Sequence, residues 1–279
     1  MEETKKFKII VPEKSVPRPK YYDVYVKYFI NILKDNNLQL EFKGTDNDAK
    51  FLALINQKKI GIDYSDHPII DNVLLSQCDV YFKFHCRKTH TENKKIVPFT
   101  PISFYDWERW RQLQNEITYT CNNNVVLNIQ RPYGNAVERR KLVRGMLYEK
   151  YKLKNELIYS PHYTQEEYWK LINNCLVHVF VPGCYNDMLD RGHAQYMSFG
   201  CCTISPRIVD LLPWGKKIIP DYHYLMCKPD YSDLIEKIEW CKQNKQKCVQ
   251  IGYNAKRLFL SCCTPQKLWQ WILHNIDTH

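Results

Sequence analysis

Between Leu176 and Ser205 the chain is punctuated in a way that admits few folds. The mostly apolar run Leu176–Val181 is short and is stopped by Pro182-Gly183, as a buried parallel strand is. Asn186, Asp187, Asp190, Arg191 and His193 then cluster at the start of a helix, Gly200 closes it, and Cys201–Ser205 begins the next strand. In such a strand–turn–helix–strand unit, the carboxyl end of the strand and the amino end of the helix form a natural anion site. An arginine there can grip a diphosphate with two parallel hydrogen bonds, so the stretch points to a nucleotide-linked ligand.

The rest of the chain repeats the same alternation. Lys8–Val11, Leu38–Phe42, Lys59–Asp63, Val80–Phe84 and Ile96–Phe99 read as strands in the first half, with an amphipathic helix over Tyr22–Asp35 and an element of open type at Phe51–Ile55. In the second half Asn124–Gln130 is a strand, Arg131-Pro-Tyr-Gly-Asn135 its loop and Val137–Tyr151 its helix. Thr164 and Glu167 make a capping box for a helix to Asn174, and three more helices follow from Ser232, Gln250 and Pro265. The simplest architecture is α/β with two Rossmann-like domains facing a central cleft, spanning residues 1–121 and 122–279, the last helix being a candidate to pack back on the first domain.

A hydrophobic fraction of 44% supplies a real core, which argues against wholesale disorder. The formal charge of +10 suits an anionic partner, but 40 basic against 30 acidic residues is a dispersed excess with no long basic block. The N-terminus shows no signal-peptide pattern, and no apolar run approaches the roughly 20 residues that cross a bilayer, so a soluble, cytoplasmic protein is expected. The twelve cysteines are then reduced thiols. They show no CxxC spacing, which disfavours zinc; Cys241 and Cys248, seven apart, are expected to share a buried helix face as structural residues.

Pro220-Asp-Tyr-His-Tyr-Leu225, Asp230-Tyr-Ser-Asp-Leu234, Ile238-Glu-Trp240 and Ile251-Gly-Tyr-Asn-Ala255 occur in order over the last part of the chain. This pattern resembles the C-terminal half of GT-B glycosyltransferases, above all the protein O-glucosyltransferase and capsule xylosyltransferase group, glycosyltransferase family 90, with exostosin-like glycosyltransferases a close second. Gln130-Arg131-Pro-Tyr-Gly134 is similar to that family's Arg-Gly loop, although its usual Trp-Arg-Gly is missing. The size also resembles that of glycosyltransferases encoded by large DNA viruses.

The resemblance implies a transferase moving a sugar, xylose or glucose, from a nucleoside-diphosphate sugar, UDP-linked, to a hydroxyl of a glycan or glycoprotein, with inversion. Arg131 and Arg191 are the candidates for the diphosphate, Arg139 a reserve, and the helix amino ends near Gly134 and Gly183 add backbone donors. With arginines in that role no metal or other cofactor is expected, and Asp46-Asn-Asp48, the one pair with Asp-x-Asp spacing considered, sits in a polar turn. Asp190, His193, His223 and Tyr224 complete the expected donor site, Tyr224 as a platform for the base. A general base for the acceptor is expected in the first domain, where Asp63 and Asp66 flank a loop beside His67; Asp66 is the first choice, Asp63 the second, and Asp79 and Asp106 are outsiders.

Each of these residues has an ordinary reading as well. Arg191 can be a surface helix arginine paired with Asp187, Arg131 a strand-end charge, and Arg139 a solvated helix charge. His193 can be a buried, hydrogen-bonded histidine, His223 and Tyr224 loop packing, and Asp66 a turn cap held by Pro68. Two other functions compete: a basic nucleic-acid-binding protein, motivated by 20 tyrosines and 7 tryptophans, and a GT-B protein that binds glycan or nucleotide sugar without turnover.

Overall fold

Alternating burial makes the strands of the first half. In Lys50–Ile55 the side chains of Phe51, Ala53 and Ile55 are buried while the residues between them are half-exposed, the two-residue period of a sheet with one packed face. The computed structural model of the chain describes residues 7–11, 14–15, 26, 28–33, 39–42, 45–46, 49–100, 107–132, 134–159 and 163–279. The chain divides into two compact units. Unit 1 comprises Met1–Tyr105, Asp210–Lys217 and Ser261–His279; unit 2 comprises Asp106–Val209 and Ile218–Leu260.

In unit 1 the strands are β1 (Lys8–Val11), β2 (Lys14–Ser15), β3 (Gln39–Phe42), β4 (Thr45–Asp46), β5 (Lys50–Ile55), β6 (Lys58–Asp63), β7 (Val80–Lys83) and β8 (Ile96–Pro98). Six of them form one sheet in the order β3-β1-β5-β6-β7-β8, while β2 and β4 pair apart from it. All pairings in the large sheet are parallel except those of β5, which runs antiparallel to β1 and to β6. The hairpin between β5 and β6 turns on Asn56 and Gln57, both at positive φ, the backbone that a two-residue hairpin turn needs. Phe29, Phe51, Tyr64, Phe82 and Phe99 pack in the core beside this sheet. The expected helix Tyr22–Asp35 is helical at 26 and 28–33, and the rest of it lies outside the described residues.

Unit 2 carries an all-parallel sheet of β9 (Val126–Leu127), β10 (Leu157–Ile158), β11 (Val177–Val179), β12 (Thr203–Ser205) and β13 (Leu225–Met226), in the order β10-β9-β11-β12-β13. Val126, Leu127, Val177, Val179 and Ile204 are wholly buried, as strands covered by helices on both faces must be. The helix Gln165–Asn173 starts with the full capping box of Thr164 and Glu167. The helix Arg191–Phe199 ends at Gly200, which takes a left-handed φ of 75° as its C-cap. Cys241 and Cys248 stand on two helices, Leu234–Gln243 and Lys245–Cys262, because the chain breaks its helical path at Asn244.

Candidate functional site

The strand order of unit 2 reverses direction at one place. From β9 the chain moves outward to β10, then returns past β9 to β11, and from there it moves outward the other way. At such a switch point the loops leaving two neighbouring parallel strands diverge and leave a crevice at their carboxyl ends. Here those loops are 128–136 after β9 and 180–190 after β11.

Three arginines of the helix Val137–Tyr151 brace that edge. Arg140 is buried; its Nε and Nη2 donate to the Val181 carbonyl at 3.2 and 3.1 Å, and its Nη1 donates to the Arg131 carbonyl at 2.8 Å. Arg139 Nη2 donates to the carbonyls of Pro182 and Gly183 at 3.3 and 2.9 Å, and Arg144 Nη2 to that of Gln130 at 2.7 Å. The Gln130 side chain joins the same two strand ends, with Nε2 3.0 Å from the Val181 carbonyl and Oε1 accepting from the Val181 N–H at 2.6 Å. Arg139, expected as a reserve for a diphosphate, is thus a brace for the glycine turn.

Asp190 is the N-cap of the following helix, its Oδ1 accepting from the Gly192 N–H, and its Oδ2 lies 3.6 Å from Arg140 Nη2. A Cβ on Gly183 would stand 3.2 Å from that Oδ2 and 3.8 Å from Arg140 Nη2, so the turn, the cap and the arginine pack closely together. Arg191 is the first residue of the helix and is half-buried. Arg131 is exposed on the β9 loop, Gly134 is exposed with φ 56°, and Tyr133 between them lies outside the described residues.

Two further cations belong to the same edge. β12 and β13 are in register, Ser205 opposite Met226, and Arg207 and Lys228 are each two residues beyond that pair and exposed. Neither sits in a recognisable motif; only the ends of the strands, once located, give them away. The Asn186 side chain bridges the β11 loop to the β13 loop, with Nδ2 donating to the Pro229 carbonyl at 2.7 Å and Oδ1 accepting from the Tyr231 hydroxyl at 2.7 Å.

Three expected ligand residues are framework instead. His193 has no exposed surface; its Nε2 is 2.9 Å from Thr203 Oγ1, and burial lowers its imidazole to about 3 although Asp190 acts to raise it. The Tyr224 ring is wholly buried and its hydroxyl accepts from the Ile208 N–H at 3.0 Å, so it pins a loop and presents no face for a base to stack on; burial pushes its phenol up to about 12. His223 is buried too, its Nδ1 accepting from the Ile219 N–H at 2.9 Å, and burial lowers its pKa.

In unit 1 the two candidate carboxylates part company. Asp63 is wholly buried, with Tyr81 Oη donating to its Oδ2 at 2.6 Å, the Ser65 N–H and hydroxyl donating to its Oδ1 at 2.8 and 2.5 Å, and Lys83 Nζ at 3.2 Å. That carboxylate holds the ends of β6 and β7 together. Asp66 is 44% exposed, and its Oδ1 lies 4.0 Å from Nε2 of His85. His85 is itself buried, follows β7 with a positive φ of 56°, and has Nδ1 2.9 Å from Oδ2 of the buried Asp210. A non-glycine residue held at positive φ between two carboxylates is an arrangement that collects at functional sites. His85 and Asp210 are 125 residues apart, so no local pattern joins them. Of the outsiders, Asp79 Oδ2 accepts from the Lys59 N–H at 2.8 Å, and Asp106 lies outside the described residues.

No family model matches the chain. Over 85 residues, 27% of its length, it is 36% identical to uncharacterized protein 179R of Invertebrate iridescent virus 6, a stretch that is 7% of that protein. Over 119 residues, 42% of its length, it is 24% identical to uncharacterized protein 035R of Invertebrate iridescent virus 3, or 10% of that protein. Among solved structures it resembles HepE of Anabaena in complex with UDP, with a TM-score of 0.51 at 12% identity over 74% of this chain and 66% of HepE. The complex of HepE with UDP and glucose gives 0.50 at 11% identity, over 74% and 65%. The chain thus spans a tenth or less of its viral relatives and just under two thirds of HepE. Its fold is mixed α/β of the GT-B class.

Proposed function

We propose that the chain is a glycosyltransferase that binds a nucleoside-diphosphate sugar at the carboxyl edge of the unit 2 sheet. The observation that carries this reading is the β9/β11 switch point in the strand order, whose strand ends are braced by Arg139, Arg140 and Arg144 and are followed by a glycine turn and the amino end of the helix Arg191–Phe199. A diphosphate there meets helix N–H groups together with Arg191 and Arg131, and Arg207 and Lys228 on the neighbouring loops add positive charge. UDP bound by HepE, which shares the fold, favours uridine as the nucleoside. The family resemblance favours xylose or glucose, an inverting reaction and independence from metal. The acceptor is a hydroxyl of a glycan or glycoprotein, and the free state of all twelve cysteines favours a reducing compartment such as the cytoplasm.

Transfer needs charge stabilisation at the leaving diphosphate and a base on the acceptor hydroxyl. Asp66 is our base, being exposed to solvent, with His85 and Asp210 behind it as positioning residues. Thermal shift with UDP, UDP-glucose, UDP-xylose and GDP, with and without EDTA, tests the donor site. Uridine nucleotides should stabilise the protein, EDTA should leave the nucleotide-induced shift unchanged, and Arg191→Ala should abolish that shift. Asp66→Asn should keep the shift and lose sugar transfer. A chain that no nucleotide stabilises, or an Arg191→Ala variant that responds like the wild type, would sink the assignment.

A further inference from the structure

The lack of any CxxC spacing speaks against a local zinc motif, yet the fold gathers cysteines from distant parts of unit 2. Cys202 precedes β12, Cys241 lies in the last turn of the helix Leu234–Gln243, and Cys248 lies in the first turn of the helix Lys245–Cys262. Their sulfurs all lie within 4.8 Å of one another, and each residue is wholly buried. Cys121, also wholly buried and held at a positive φ of 54°, is a neighbour of Cys248. Among the described residues this is the one group of three or more side chains with metal-ligand chemistry at metal-ligand spacing.

We propose that Cys202, Cys241 and Cys248, with Cys121 as the fourth ligand, form a structural zinc site in the core of unit 2. Four thiolates about 2.3 Å from a tetrahedral zinc stand about 3.8 Å apart, so Cys202, Cys241 and Cys248 need to contract by no more than about an ångström, while Cys121 must swing in to complete the set. Cys121 Sγ now donates to the Leu176 carbonyl at 3.3 Å, and this weak bond is what it gives up on turning to the metal. Cys248 lies in the first turn of an 18-residue helix, where the helix dipole favours negative charge. The site is closed to solvent, so metal enters as the unit folds, and it joins the start of β12 to two helices and to the segment before β9. Its role is structural and separate from sugar transfer.

The test is the metal content of the tag-free 279-residue chain, purified without chelator and also refolded with equimolar zinc or cobalt. About one zinc per chain by plasma mass spectrometry, and intense d–d and sulfur-to-cobalt bands in the cobalt protein, are expected. Cys202→Ala and Cys241→Ala should lose the metal, while Cys175→Ala, buried outside the group, should keep it. If the first two variants do not fold, the wild-type cobalt spectrum decides alone, since only a tetrahedral thiolate site gives it. Less than about a tenth of an equivalent of metal after refolding would overturn the proposal, as would full metal content in Cys202→Ala or Cys241→Ala, and the cluster would then be packed thiols.

Discussion

A histidine in a core is a stored response to acid. His178 and His193 have no exposed surface, and burial holds both imidazoles down at about 3. In the unfolded chain a histidine titrates near about 6.5. Between those values the unfolded state binds more protons than the folded one, so stability rises with pH across the window: it is fully present above about pH 6.5 and is lost as the pH falls. Each residue should cost about 1.4 kcal/mol between about pH 7.5 and pH 5.5, about 3 kcal/mol for the pair. Urea melts at the two pH values measure this, and His193→Gln should remove about half of the difference. Equal pH dependence in wild type and variant would mean that His193 already takes up protons in the folded state. The same burial explains why His193 and Tyr224 were poor candidates for ligand contact. Sequence position put both near the sheet edge, and it does so whether a side chain faces out or in. Asp63 was misleading for the same reason, whereas Asp66, three residues on, stands in solvent beside a histidine that no local pattern joins to its partner Asp210.

At the scale of elements, backbone approach decides what substitution the fold tolerates. The helix Lys245–Cys262 crosses the chain at Gly200 so closely that a Cβ on Gly252 would stand 1.9 Å from the Gly200 carbonyl oxygen. Gly252→Ala should therefore cost about 3 kcal/mol or more, because the obstacle is backbone and cannot rotate away. Gly145, exposed in the helix Val137–Tyr151 with nothing near its missing Cβ, gives the control: Gly145→Ala should stabilise by about 0.5–1 kcal/mol. Chemical denaturation of both variants checks the pair, and similar effects at the two positions would refute the close crossing. Most elements of unit 2 are legible in the sequence because each signal is local: the helix Val137–Tyr151 after the loop Arg131–Asn135, the capping box of Thr164, the stop at Gly200. The direction of β5 is not legible. A hairpin turn of Asn56-Gln57 lacks the glycine that usually marks it, so nothing local tells an antiparallel strand from a parallel one. The cysteine group is invisible for a related reason, since its members meet only when two helices and a strand pack.

At the scale of the whole molecule, unit 1 is assembled from three separate pieces of chain, and its C-terminal piece does much of the closing. The helix Pro265–Thr278 buries Leu268, Trp269, Ile272 and Ile276; Trp269 meets the Phe7 ring edge-on at 5.4 Å, next to β1. Trp271 Nε1 donates to the Pro98 carbonyl at the end of β8 at 2.8 Å, and Trp214 Nε1, in the middle piece, donates to the Lys267 carbonyl at 3.1 Å. One helix thus touches both the early strands and the short return segment that carries Asp210, the partner of His85. A chain ending at Cys263 loses the Trp269 contact beside β1 and the Trp271 bond to the end of β8, and burial of large apolar side chains such as Leu268 and Ile272 is worth about 1.5–3 kcal/mol each. Hydrogen exchange of that truncated chain should show lost protection across β1 and β8, while β9, β11 and β12, whose unit takes no residue from the deleted segment, keep theirs. Equal loss in both units would mean that they unfold as one cooperative body. Protection retained in both would mean that the pieces Met1–Tyr105 and Asp210–Lys217 supply what unit 1 needs, and the C-terminal helix would then be an accessory to a fold already closed.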